Sequence, residues 1–216
     1  MMEKKKLLAG ILVFGSLWGF SECIIGSYLR DLGLPAGILM TAIFALGLLT
    51  FSRIRYNQPG MQLGMGLVAG TLRLANPFGG CFLCSAIAIM AEGALFELLF
   101  YLLSPRIQEK YTKTLQLSMG IIISYSVYVG GYMVTQILTP FVSSAGFYVE
   151  NLVVFIPQML ASGLLAALIG GITVPAVITI SSLDLSLKDR LYYPTTVGVA
   201  VLCWCLVIAN TLLILA

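Results

Sequence analysis

"PFGGCFLCSAIAIMAEGALFELLF", residues 77–100, is apolar or small apart from two glutamates, Glu92 and Glu97. An α-helix rises about 1.5 Å per residue, and about 20 apolar residues cross the hydrocarbon core of a bilayer. The stretch therefore predicts a membrane span over roughly 80–103, opened by Pro77 and the Gly79–Gly80 pair. A Cys-x-x-Cys pair, Cys81 and Cys84, sits at its start, with the two acids inside it. Two readings follow: a redox motif at a membrane surface, or the lining of a binding pocket that contains cysteines.

The rest of the chain agrees with a membrane span. Of 216 residues, 59% are hydrophobic and 10% charged. Soluble domains carry about 25% charged residues, so this chain cannot cover a water-facing surface. Its mean hydropathy of +1.00 describes an integral membrane protein. The net charge of +3 comes without a clustered basic face, which argues against a nucleic-acid partner. Histidine is absent, and that removes imidazole-ligated metal sites and Ser-His hydrolases. The five cysteines lie within hydrophobic stretches and do not read as a secreted disulfide framework. The basic start, "MMEKKK", leads into an apolar run with no small-residue cleavage site, so the expectation is an uncleaved first span.

Seven candidate spans fall at about 7–29, 35–52, 59–76, 80–103, 114–139, 151–180 and 196–215. Proline, glycine or charge interrupts every connection between them. With the N-terminus inside, ten of the twelve basic residues fall on the inner side, and only Arg30 and Arg73 lie outside. Positive charge is retained on the cytoplasmic side of membrane proteins. The fold expected is an all-α polytopic bundle of about seven transmembrane helices, N-terminus in and C-terminus out, forming one domain over 1–216. Span six is overlong and contains Pro157, Gly170, Gly171 and Pro175, which predicts either tilt or a break near a cavity. Small residues recur every four positions at Gly15, Gly19 and Cys23, at Gly66 and Gly70, and at Gly163, Ala167 and Gly171. Such faces let helix backbones approach closely.

Charges inside a membrane cost at least about 2.5 kcal/mol on insertion scales and face the bundle interior or water. Glu22, Glu92 and Arg73 are therefore candidate solute-binding residues, with Arg30 and Asn76 beside them on the outer side. Glu22 and Glu92 are also the natural structural partners for Arg73. Arg30 and Arg73 each precede a helix start, at Pro35 and Pro77, where free N–H groups and the helix dipole attract anions. That placement points to a small polar or anionic solute arriving from outside. Aromatic lining is available from Trp18, Phe20, Tyr28 and Phe78. No nucleophile and base stand at a readable spacing, so no catalytic residue, cofactor or metal is expected.

The small-residue stretch "AGILVFGSLWG" and the stretch "GMGLVAGTLRLANPFGG", with seven short-looped spans, resemble the substrate-binding S components of energy-coupling factor (ECF) transporters. The resemblance implies uptake of a micronutrient with a membrane coupling subunit and partner ATPases. The chain departs from that family's usual six spans, and it lacks an A-x-x-x-A docking pattern and the N-terminal histidine of seven-span metal-specific members. It has no Walker A sequence of its own. Cys81-Phe82-Leu83-Cys84 is similar to the C-x-L-C of quinone-linked membrane disulfide oxidases, and a thiol at a helix N-terminus is activated. A second cysteine pair on the soluble side is missing, and small buried cysteines are common. A thiol-disulfide oxidoreductase and a non-catalytic membrane scaffold are the competing readings.

Overall fold

A computed structural model describes residues 4–78, 81–103, 112–142, 149–181 and 189–215. Among the described residues there are helices and turns and no strand. Seven helical rods follow one another: α1 (Lys4–Asp31), α2 (Ala36–Tyr56), α3 (Met61–Leu74), α4 (Phe82–Leu103), α5 (Lys113–Val142), α6 (Val149–Ser181) and α7 (Asp189–Leu215). All except α3 are long and apolar enough to cross a membrane. With 14 residues, α3 spans about 21 Å, shorter than the 59–76 expected. Pro59 and Gly60 hold its start back, and the Asn76-Pro77 step ends the chain's helical path, because a residue before proline avoids the α region.

The rods alternate in direction. Gly10 of α1 lies against Tyr56, and Gly26 against Met40, so α1 and α2 are antiparallel. Ile11 meets Gly64, and Cys23 reaches the Leu72 carbonyl, so α3 runs with α1. The pairs Gly66–Ile89 and Gly70–Ala86 turn α4 back. Ala88 and Glu92 meet Gly131 of α5, and Ser124 donates to the Ala166 carbonyl of α6 at 2.6 Å. Finally α7 runs beside α1, held at three depths. Tyr192 donates to the Lys6 carbonyl (3.3 Å), Trp204 to Ser16 (3.1 Å), and Thr211 to the Ala75 carbonyl beyond α3 (3.3 Å). The two ends of the chain therefore leave opposite ends of the bundle. Lys4, Lys5, Lys6, Arg53, Arg55 and Lys113 gather at the first end, with Arg30 and Arg73 at the second. Arg106, Lys110 and Lys188 lie outside the described residues.

Close backbone approach builds the core. A Cβ added to Gly93 would stand 2.6 Å from the Gln62 carbonyl oxygen, and one on Gly120 would stand 2.7 Å from that of Gly170. The small-residue faces of α1, α3 and α6 are used in this way inside the bundle, against α3, α4 and α5 respectively. Around them, Trp18, Leu46, Leu49, Met61, Met65, Phe96 and Phe100 form the main apolar cluster. Despite its prolines, α6 is one continuous helix, so its extra length extends or tilts it and no break opens. At the opposite flank, α1, α3 and α7 leave an apolar groove of about 570 Å³ open to the surroundings.

Two rods depart from α-helical winding. Residues Ser21–Ile25 of α1 and Met40–Ala45 of α2 form π-helical turns. A π-turn closes i→i+5 hydrogen bonds, inserting a residue that re-aims neighbouring side chains, and it is frequent at functional sites. Glu22 sits in the first of these turns and Thr41 in the second.

Candidate functional site

The acids of α4 serve different ends. Glu97 accepts the backbone N–H groups of Gly60 and Leu63, the second at 2.9 Å. Gly60, the residue before α3, has φ +84° and no side chain to cap the helix. A carboxylate from α4 therefore fills the role that Asp or Ser plays at an ordinary N-cap. Glu92 is 6% exposed. One of its oxygens accepts the Thr41 hydroxyl at 2.7 Å, while the other is buried without a hydrogen-bond partner. Its stem rests on Gly131, whose missing side chain makes the room.

Glu22 lies nearby on α1. The indole of the wholly buried Trp18, one turn earlier, donates to it at 3.3 Å. Glu22 is within electrostatic range of Glu92 and of Arg73. On the far side of Glu92, Tyr128 of α5 interacts with Ser162 of α6 and is within electrostatic range of both Glu92 and Tyr132. Tyr132 also walls a cleft of about 130 Å³ between α5 and α6, with Gln136, Phe155 and Met159. The two sequence-expected acids are thus within electrostatic range of each other, Glu22 bonded by Trp18 and Glu92 by Thr41.

Arg73 has a different role from the one expected of it. Its side chain is wholly buried. Nε donates to Ser85 at 3.2 Å, Nη1 to the Asn76 carbonyl at 2.5 Å, and Nη2 to the Phe78 carbonyl at 2.9 Å. Asn76 in turn accepts the Phe78 N–H at 3.2 Å. The guanidinium's hydrogen bonds close the turn from α3 to α4, and neither Glu22 nor Glu92 takes part in them. The last turn of α3 leaves carbonyls without helical partners, and the planar fork of Arg73 binds this turn from within. Arg30, at the outer end of α1, is exposed and donates to Ser27 at 3.4 Å. The expected cluster of arginines and acids is therefore divided between two places: an acid pair inside the bundle, and an arginine-closed turn.

Cys81 and Cys84 are joined as a disulfide at the start of α4. Cys81 is exposed, and its sulfur accepts the Cys84 N–H at 3.2 Å, so the reading as buried packing thiols does not hold for this pair. Cys23 and Cys203 are buried free thiols, and Cys205 is an exposed one. Among the described residues no group of three or more His, Cys, Asp or Glu is placed to hold a metal ion. Of the groups that sequence reasoning passed over, Thr41 had a signal: it is polar within an apolar run. Tyr128 had none, being one of several tyrosines along α5. In comparison with known proteins, no family model, curated protein or solved structure matches the chain.

Proposed function

We propose that the protein binds a small polar solute from the outer side of the cytoplasmic membrane and takes part in its import, in the manner of the ECF S components it resembles. The observation that supports this is the buried Glu92 oxygen without a partner, at the level where α1 and α2 both pass through π-helical turns. Intramembrane acids facing a bundle interior mark solute and ion paths. Leaving such an oxygen unsatisfied costs about 1–3 kcal/mol, and a bound solute offsets that cost. The energy for transport would come from a coupling subunit and ATPases, and the protein itself performs no chemistry.

Native mass spectrometry of the chain released from mild detergent tests the reading. A retained small molecule, lost in Glu92→Gln, and co-purifying ATPase subunits are expected. A bare chain from every preparation, with no partner, sinks it.

The exposed Cys81–Cys84 disulfide favours one second reading, a thiol-disulfide oxidoreductase. Replacing both cysteines with Ala separates the two. Import retained by the double variant is the expected result, and abolished activity at normal expression would favour the redox reading.

A further inference from the structure

We infer that the solute received at the partnerless oxygen of Glu92 is a small organic cation, carrying an ammonium or amidinium group. This rests on the solute-binding reading and deepens it. The cations that would fit the site for an anion are engaged elsewhere. Arg73 donates from all three of its nitrogens to the α3–α4 turn, and Arg30 is exposed at the outer end. What faces the interior is acceptor chemistry. Thr41 occupies one oxygen of Glu92, and the second, in a side chain more than nine-tenths buried, has no donor.

Two carboxylates in a low-dielectric interior repel each other, and a shared cation relieves that repulsion. An N–H-bearing cation also supplies the donor that the free Glu92 oxygen lacks. The surrounding rings fit the same class. Trp18 meets Glu22 through its indole N–H edge, and Tyr128 is within electrostatic range of Glu92; an aromatic ring within about 6 Å of a bound cation would add to its attraction. The site admits only a small group, because Gly131 of α5 packs directly on the stem of Glu92.

The test is thermal unfolding of the full chain in mild detergent, titrated with ethylammonium, ethanolammonium and acetamidinium chlorides. Sodium chloride and sodium acetate at equal ionic strength serve as the comparison. A saturable rise in melting temperature with at least one organic cation is expected, with apparent affinity weakened about tenfold or more in Glu92→Gln. Glu22→Gln carries the same test should Glu92→Gln not fold, and melting without a probe reports folding. A rise of equal size in sodium chloride, or a response that survives both Gln variants, overturns the proposal. So does a flat response to all three organic cations. Stabilisation by acetate alone overturns the cation assignment while leaving solute binding standing, whereas a chain that also retains no molecule in native mass spectrometry loses both.

Discussion

Glu92 and Glu97 stand five residues apart on α4, and the bundle treats them in opposite ways. Near the inner end, Glu97 has both oxygens bonded to the backbone at the start of α3. In the middle, Glu92 has one oxygen bonded and one without a partner. Arg73 closes the other end of α3 from the outer side. A 14-residue helix in mid-membrane thus has both its termini bound by charged side chains. The difference teaches that intramembrane charge is not one signal. Where backbone groups would be stranded, a charge serves the scaffold, and the charge left incompletely bonded is the one available to a ligand.

The comparison breaks if the scaffold charges prove dispensable. Arg73→Ala carries the largest expected effect, because three acceptors, one buried and two part-buried, lose donors together. A loss of about 3 kcal/mol or more is expected, read as a lower melting temperature, and an unchanged melt would refute the structural role given to this residue. Glu97→Gln comes next, at about 1–2 kcal/mol. One amide oxygen remains to accept, but the second N–H and the charge at the helix terminus are lost. Faster hydrogen exchange confined to the first turn of α3 would confirm where the loss falls. Smallest in stability is Glu92→Gln, where Thr41 keeps its acceptor. A change within about 1 kcal/mol is expected, together with loss of the retained solute. A melt as low as that of Arg73→Ala would place Glu92 with the scaffold and erase the contrast.

Much of the architecture could be read from residue order. Charge and proline between apolar runs mark the ends of rods, and the alternation of basic residues sets their directions. Repeated small residues name the faces that meet. The π-turns could not be read, since inserting one residue per turn changes hydrogen-bond register without altering composition. Nor could the partner of Arg73. Sequence reasoning pairs opposite charges, but in lipid an unpaired backbone carbonyl must also find a donor, and it competes with a carboxylate for one. The role of Glu97 had a faint trace in Gly60, a helix start with nothing to cap it, though finding the acceptor required knowing that α4 folds back along α3. Glu22 and Glu92 were legible as interior acids, but Thr41 and Tyr128 joined them only through tertiary packing.

Three of the hydrogen bonds that hold α7, at Lys6, Ser16 and Ala75, are spaced along nearly the full length of α1 and the end of α3. Bonds so arranged act like the pins of a hinge. Sliding α7 along its neighbours would break all three at once, and swinging it away from α3 would break the outermost, from Thr211 to Ala75, while the two on α1 remain. The groove between α3 and α7 is therefore tied at its outer end by the Thr211–Ala75 bond, and the axial register of α7 is set by all three together.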